Sequence, residues 1–159
     1  MEPELKGRED VVEAFIKEKK MDAEVIRFAK PVRTVEDVEK LGIPSESVVK
    51  TLIGQKEDGK YVAVLARGDK RLDLKKLSRV LGKKVKLASP REVEELTHVG
   101  VGSVSPLMPF VEKVNVVIDK HVFELSEAYA GGGSAKALVR FNPQEYAEKT
   151  NALIADVCK

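Results

Sequence analysis

Residues 47–66 read SVVKTLIGQKEDGKYVAVLA and contain two β-rich runs close together in the chain. One run extends from Ser47 to Gln55 and the other from Lys60 to Ala66. Between them, Glu57-Asp58-Gly59 is typical of a hairpin turn. The stretch therefore predicts an antiparallel hairpin, and the surrounding segments decide the fold class.

Helix signals flank this hairpin on both sides. Thr34 and Asp37 have the spacing of a capping box, and Gly42 is predicted to end that short helix. Asp73 is predicted to cap a further helix, which Gly82 ends. The apolar face of that helix is predicted to consist of Leu74, Leu77, Val80 and Leu81. Other helices are predicted from about Arg8 to Lys20, from Ser89-Pro90 onward and from Asn142-Pro143 onward.

Shorter β-rich segments are interspersed with these helices. They are Glu24 to Phe28, Lys84 to Leu87, Val114 to Ile118, a strand leading to Gly131, and Ala137 to Phe141. Because several strands follow one another directly, the pattern favours a compact α+β domain over a doubly wound fold. We expect a mixed, barrel-like β-sheet surrounded by helices. With no internal repeat or low-complexity linker, residues 1–159 are predicted to form a single domain.

The composition limits the class of protein. The 159 residues are 43% hydrophobic, which is enough for one core, and no apolar run approaches the roughly 20 residues that cross a bilayer. Residues 1–4 lack the apolar stretch of a signal peptide, and the single Cys158 fits a reducing cytosol, so we expect a cytoplasmic protein. His98 and His121 are the two histidines and show no metal-ligand spacing, so no metal or cofactor is predicted.

The positive charge is concentrated in one block. Residues 67–86 contain nine Lys or Arg against Asp69 and Asp73, whereas the formal net charge of the whole chain is only +2. A basic block in an otherwise acidic chain is typical of a protein with a polyanionic partner. A solvated helix face with its flanking loops is the alternative interpretation.

Two glycine-rich loops and one lysine are the candidate chemical features. Residues 100–106 read GVGSVSP and residues 131–134 read GGGS; such loops can hold a phosphate or stabilise an oxyanion. Neither loop matches a P-loop or a dinucleotide fingerprint, so plain turns are the alternative. Lys50 lies in the otherwise apolar stretch Val48 to Ile53, where it either points into a polar pocket or reaches solvent from an edge strand.

Five short segments occur in a characteristic order. They are Lys50-Thr51-Leu52-Ile53, Leu72-Asp73-Leu74-Lys75-Lys76, Gly102-Ser103-Val104-Ser105-Pro106-Leu107, Ile118-Asp119 and Gly131-Gly132-Gly133. In order and spacing they resemble the YbaK family, which is related to the inserted editing domain of bacterial prolyl-tRNA synthetases. The resemblance runs from about Val11 to Val157 and implies an α+β fold with a barrel-like mixed sheet. It also implies deacylation of mischarged tRNA, with stand-alone members acting in trans.

The resemblance implies roles for single residues. Lys50 matches a pocket lysine that contacts the terminal nucleotide or the acyl end of the substrate. Gly102 and Ser103 match a paired-glycine turn, and Gly131 and Gly132 match a loop that borders the aminoacyl group. The further candidates for substrate binding are Phe28, His98, Gly100, Pro106 and Gly133. This chain has Ser103 in place of the second glycine, and it lacks the histidine that alanine-clearing relatives usually carry before Phe141.

The chemistry that follows is ester hydrolysis at the 3′ end of tRNA. It needs a nucleophile and oxyanion stabilisation, and the sequence offers no convincing catalytic triad. We therefore expect substrate-assisted chemistry, in which the terminal ribose hydroxyl or a thiol of the amino acid participates. A small pocket would select the alanine, cysteine or serine class. The acceptor stem would be held through its phosphates by Lys70, Arg71, Lys75, Lys76 and Arg79.

Two other function classes stay open at this point. A non-catalytic module that binds tRNA or an aminoacyl-tRNA synthetase could use the same fold. A nucleotide-binding metabolic enzyme would need a phosphate fingerprint that the sequence lacks. The expected partners are thus tRNA and, through the resemblance, a synthetase, with no membrane.

Overall fold

The computed structural model describes residues 7–32 and 34–159. Its α-helices are α1 (Glu9–Lys19), α2 (Val35–Glu39), α3 (Leu74–Leu81), α4 (Pro90–Thr97), α5 (Lys120–Phe123) and α6 (Pro143–Thr150). Its strands are β1 (Glu24–Arg27), β2 (Val49–Lys56), β3 (Tyr61–Arg67), β4 (Val85–Leu87), β5 (Asn115–Asp119), β6 (Ala128–Gly131), β7 (Ala137–Phe141) and β8 (Leu153–Ala155). Short 3-10 turns occur at Ser45–Ser47, Val101–Ser103 and Pro109–Lys113.

The described strands form two sheets. One has five strands in the order β4-β2-β3-β5-β8, and the other has three in the order β1-β7-β6. The predicted hairpin is confirmed as β2 and β3, which pair antiparallel, whereas β3, β5 and β8 run parallel. The α+β class and the mixed sheet are therefore confirmed.

The two sheets meet at one point and do not close into a single barrel of the described strands. Val48 forms an isolated parallel bridge with Tyr129, which brings β2 beside β6. Elsewhere the sheets are separate, because β1 pairs with β7 and β4 pairs only with the end of β2. The single-domain organisation of residues 1–159 stays a prediction.

The core lies on both faces of β3. Val62 and Val64 face α3, where they pack with Leu77, and the alternate side chains Ala63 and Leu65 face the larger core on the other side. A strand covered on both faces needs a nearly continuous apolar run, and this explains why residues 61–66 carry no polar alternation. Within the described residues, no helix is long and apolar enough to cross a membrane.

Local capping signals predict the helix ends well. Thr34 with Asp37 and Ser89 with Glu92 form the predicted capping boxes, and Asp73 accepts from the backbone N–H groups that begin α3. Gly82, with φ of +69°, follows the end of α3.

Three sequence predictions need correction. Val80 is 39% exposed, because helical geometry places it at the edge of the stripe that Leu74, Leu77 and Leu81 form. Helix α2 ends at Glu39, and Gly42 occupies the turn beyond it. The strand β8 was not predicted, since its three residues are ordered by pairing with β5. Residues 1–4, which carry the expectation about a signal peptide, lie outside the described residues.

A buried carboxylate ties the C-terminal segment to the sheet. Asp119 ends β5, is 0% exposed and accepts hydrogen bonds from the backbone N–H groups of Val157 and His121. The Nδ1 atom of His121 lies 2.7 Å from Oδ2 of the same carboxylate. Burial raises the pKa of Asp119, but the hydrogen bonds outweigh burial and hold the pKa below its ordinary value. The carboxylate therefore stays ionised at neutral pH.

We predict that Asp119→Asn lowers the free energy of unfolding by about 1–3 kcal/mol, because an amide cannot accept from all of these donors. Asp156→Asn is the control: Asp156 is exposed and pairs with Lys76 and Lys120, so its loss should cost less than about 1 kcal/mol. Urea unfolding measures both changes. Equal effects of the two substitutions would contradict the role given to Asp119.

The pH dependence has a defined direction. Because folding lowers the pKa of Asp119, the stabilisation is fully present above the unfolded-state value of about 3.9 and is lost as the pH falls through the folded-state value. Below about pH 4, the wild-type protein should therefore lose stability more steeply than Asp119→Asn. Parallel curves for the two proteins in this range would show that the carboxylate is not the titrating group.

Candidate active site at the junction of the two sheets

Lys50 lies where the two sheets meet. It is half-buried on β2, an interior strand of its sheet, and pairs with Ala66 of β3. Within the described residues, the ammonium group of Lys50 forms no hydrogen bond and no ion pair. A half-buried lysine whose ammonium donors are unused is available to an anionic or carbonyl ligand. Strand β4 pairs only with Gly54–Lys56 and does not cover β2 beside Lys50, so the edge-strand alternative stays open.

The second glycine loop is packed too tightly for any side chain. A Cβ atom at Gly131 would overlap the carbonyl oxygen of Val104, and one at Gly132 would lie 2.8 Å from the carbonyl carbon of Ala137. Gly133 has a φ of +98°, which side chains disfavour. Glycine at these positions is required by the fold, and the contact with Val104 holds the two glycine loops together.

The first glycine loop is different. A Cβ atom at Gly100 or Gly102 would meet no atom within 4 Å, and neither residue has a positive φ. The N–H of Ser103 donates to the carbonyl of Gly100 and closes the first turn of this loop. The N–H groups of Val101 and Gly102 come before that hydrogen bond and do not take part in it. The fold itself therefore does not require glycine at 102, and open space lies beside it.

The register brings Lys50 next to these loops. Strand β6 runs parallel to β2 at the isolated Val48–Tyr129 bridge, and extending this alignment by two residues would bring Gly131 level with Lys50. Since Gly131 abuts Val104, the three segments that carry Lys50, Gly102 and Gly131 converge.

Other predicted site residues occupy different places. Phe28 packs against the cluster of Val38, Val48 and Leu138, and Val48 lies two residues before Lys50. Pro106 is buried, and its carbonyl accepts a hydrogen bond of 2.7 Å from the hydroxyl of Tyr146. His98 is exposed in a left-handed conformation at the end of α4, beside a separate cavity that Met108 also lines.

The thiol of Cys158 is close enough to Lys50 to interact with it electrostatically, but it is chemically unreactive. Burial, together with the nearby Asp119 carboxylate, raises the pKa of the Cys158 thiol to about 12, although Lys50 and Lys70 oppose the shift. A thiol of this pKa is protonated at neutral pH and is a poor nucleophile. The terminus is ordered here, because Cys158 bridges Leu72. The described residues contain no cluster of three or more His, Cys, Asp or Glu side chains able to hold a metal ion.

The basic block divides into paired and unpaired cations. Lys76 donates to Asp156 and to the carbonyl of Cys158, Lys83 pairs with Asp58, and Arg67 pairs with Asp69. No ion pair with a described residue occurs at Lys70, Arg71, Lys75, Arg79, Lys84 or Lys86.

Three of the unpaired cations surround one groove. Lys75, Arg79 and Lys84 line an open surface groove of about 540 Å³ between α3 and β4. Lys76 is tied to the C-terminal segment, and its role in tRNA binding stays a prediction. We call Lys75, Arg79 and Lys84 the free basic surface.

Sequence reasoning missed two features of this region. Thr51, beside Lys50, has a buried hydroxyl without a hydrogen-bonding partner, and nothing in the local sequence distinguishes it from an ordinary strand threonine. The second feature is the contact between His121 and the buried carboxylate of Asp119. The position of Asp119 at the end of an apolar strand was the available signal for the second feature.

Comparisons with known proteins identify relatives of this chain. The family model described as "Aminoacyl-tRNA editing domain" matches residues 29–149. A proline–tRNA ligase of Geobacter metallireducens is 38% identical over 79% of this chain, which spans only 21% of that ligase. An uncharacterised protein, YwhH of Bacillus subtilis, is 28% identical, with 86% of this chain and 87% of that protein aligned.

Solved structures agree with these relatives. A hypothetical protein with 38% identity superposes with a TM-score of 0.87, covering 93% of this chain and 99% of that one. A protein described as a candidate trans-editing enzyme for prolyl tRNA synthetase superposes with a TM-score of 0.86 at 28% identity, covering 98% of this chain and 99% of that one. The resemblance to the YbaK family is confirmed. Because the family model covers well over half of the residues, this chain belongs to the aminoacyl-tRNA editing domain family.

Proposed function

We propose that this chain is a trans-acting deacylase that hydrolyses the ester bond of mischarged tRNA carrying a small amino acid of the alanine, cysteine or serine class. The observation that carries the proposal is the half-buried, unpaired Lys50 beside two glycine loops in contact. Family membership supports editing as the role. The partner is the acceptor end of tRNA, and a prolyl-tRNA synthetase is the proposed source of the charged tRNA, as its relatives suggest.

Each part of the site has a proposed role. Lys50 holds the terminal nucleotide or the acyl carbonyl through its ammonium donors. The N–H groups of Val101 and Gly102 would stabilise the oxyanion of the tetrahedral intermediate. The closely packed Gly131 and Gly132 fix the loop that borders the acyl group, and larger acyl groups are excluded by size.

Two titratable groups of this region are unsuited to act as a general base, which favours substrate assistance. Of the described residues in this region, Cys158 is protonated and the carboxylate of Asp119 is occupied by its hydrogen bonds. The terminal 2′-hydroxyl of the tRNA, or the thiol of a cysteinyl group, would then participate in the attack. Orientation and preorganised donors can together supply several kcal/mol of the barrier reduction.

Deacylation is the experiment that tests the proposal. Purified protein should release alanine, serine or cysteine from matched charged tRNAs, and Lys50→Ala should slow release by at least about 10²-fold because substrate positioning is lost. Lys56→Ala is the matched control on the same strand, since Lys56 already bonds Asn115. Retained tRNA binding without turnover of any substrate would favour the non-catalytic binding module.

The terminal ribose gives a second test. If the 2′-hydroxyl participates, tRNA ending in 2′-deoxyadenosine and charged on its 3′-hydroxyl should be cleaved about 10²-fold more slowly. Single-turnover rates with alanyl and seryl groups measure the effect. Undiminished cleavage of these two esters would eliminate the ribose-assisted route.

Substitution by alanine should affect stability and activity differently at Gly102 and at Gly131. Gly102→Ala should leave the free energy of unfolding unchanged or raise it by about 0.4–1 kcal/mol, yet reduce deacylation because the methyl group enters the space beside the site. Gly131→Ala should destabilise the fold itself, because its methyl group overlaps Val104. Full activity of a folded Gly102→Ala protein would remove this loop from the site.

The free basic surface predicts the salt dependence of binding. Lys75→Ala with Arg79→Ala should weaken tRNA binding and reduce the slope of log K against log salt by about 0.9 for each lost phosphate contact. Lys83→Ala is the control, since Lys83 pairs with Asp58. Filter binding between low and moderate salt measures the slopes. An unchanged slope in the double variant would mean that this face is only a solvated helix surface.

A further inference from the structure

A cavity of about 160 Å³ lies apart from Lys50, at the left-handed end of α4. Three parts of the chain surround it: the beginning of α1, the last turn of α4 and the 3-10 turn at Pro109–Lys113. Neither Lys50 nor Gly102 lines this cavity. It is therefore a separate candidate site, which the proposed deacylation does not use.

The inner wall of the cavity is apolar. Met108 and Phe110 are 2% and 6% exposed, and Val11 and Leu96 pack against the same large core. Thr97 also reaches the cavity, but its hydroxyl already donates to a backbone carbonyl of its own helix. This wall therefore offers a ligand mainly apolar contact.

Three basic side chains line the same cavity. Arg8 precedes α1, His98 follows α4, and Lys113 ends the 3-10 turn. His98 and Lys113 are exposed and Arg8 is half-buried, so the basic groups lie on the solvent side. Within the described residues, none of the three side chains has a hydrogen bond or an ion pair, and no acidic residue lines the cavity. An anionic ligand would supply the counter-ion that this arrangement lacks.

The combination of wall and charge selects one chemical class of ligand. A cavity of about 150 Å³ holds a molecule of the size of benzene, so this one accommodates a single ring or branched alkyl group. The guanidinium of Arg8 can bind a carboxylate through two parallel hydrogen bonds, and the ammonium of Lys113 adds another charge-assisted donor. A free amino acid fits less well, because its own ammonium group would stand among these cations.

We propose that this cavity binds a small organic anion, in which a carboxylate is attached to one compact apolar group. The apolar group lies against Met108 and Phe110, and the carboxylate faces Arg8, His98 and Lys113. Both halves of the ligand are needed, because a pocket of this kind binds through its apolar wall and orients through a few polar groups. This site goes beyond the proposed deacylase function and does not depend on it.

The backbone joins the cavity to both glycine loops. His98 and Met108 lie at the two ends of the segment that contains Gly102. The N–H of Arg8 donates to the carbonyl of Gly133, at a distance of 2.9 Å. A ligand that orders Arg8 and His98 is therefore expected to shift the amide resonances of both loops.

Benzoate is the probe that tests the site in the 159-residue chain. Titration of the ¹⁵N-labelled protein should give saturable shifts at residues 98–100 and at Gly133, with a dissociation constant of about 1 mM or below. Benzamide has the same shape without the charge, and acetate has the charge without the ring. Each of these two compounds should bind at least about tenfold more weakly than benzoate.

Substitutions at the basic groups locate the bound benzoate. Arg8→Gln and Lys113→Gln each remove one charge and should weaken benzoate binding about tenfold. Because neither side chain has a partner among the described residues, the melting temperature should stay unchanged. Lys17→Gln is the matched control, since it removes one charge from an exposed position on α1 that does not line the cavity.

Three results would overturn the proposal: no saturable benzoate binding, equally tight binding of benzamide, or benzoate binding that Arg8→Gln and Lys113→Gln leave unchanged. An unacylated acceptor-stem RNA hairpin tests the other source of an anion. Displacement of benzoate by this hairpin, with the displacement lost in Lys113→Glu, would assign the cavity to tRNA phosphates and also overturn the proposal.

The result is independent of the deacylase assignment, because benzoate binding is measured without aminoacyl-tRNA and without turnover. A protein that binds benzoate in an Arg8-dependent manner but cleaves no ester keeps the anion site and loses the deacylase assignment. A protein that cleaves the ester but binds no benzoate keeps the deacylase assignment and loses the anion site.

Discussion

The carbonyl oxygen of Val104 occupies the space where a side chain at residue 131 would stand. This contact holds the loop that follows α4 against the end of β6, and β6 in turn lies beside β2 through the Val48–Tyr129 bridge. Two glycine loops far apart in the chain thereby reach the same place, next to Lys50. Packing explains why residues 131 and 132 are glycine. Packing does not explain the glycine at 102, which has open space beside it, and we attribute it to ligand binding.

The charges around this junction serve two separate purposes. Asp119 and Lys76 attach the C-terminal segment to β5 and α3, and their partners are satisfied inside the protein. Lys50 and the cations of the free basic surface have no such partners among the described residues. A basic surface without internal partners is suited to phosphates, and it begins a few residues beyond the strand that pairs with Lys50. The arrangement is consistent with a tRNA acceptor stem on α3 and its 3′ end at the junction.

Local chemistry made much of the fold predictable. The Asp58-Gly59 turn, the two capping boxes and the Asp73 cap depend on residues within four positions of one another, and all of them appear as predicted. The strand β8 and the ordered end at Cys158 depend on pairing with residues far away in sequence, so no local signal announces them. The candidate site also has one part that is predictable from local sequence and one part that is not. Lys50 could be assigned to a strand, but its missing partners and the unsatisfied Thr51 hydroxyl are visible only when the sheets are assembled.

The central claim is that Lys50, the loop at 100–104 and the loop at 131–133 form one binding site. Chemical-shift mapping of the ¹⁵N-labelled protein with an acceptor-stem hairpin that carries alanine through a stable amide tests this claim most directly. We expect the amide resonances of all three segments to shift together and to saturate at one ligand concentration. Shifts confined to α3, or shifts in one glycine loop without the other and without Lys50, would contradict the account.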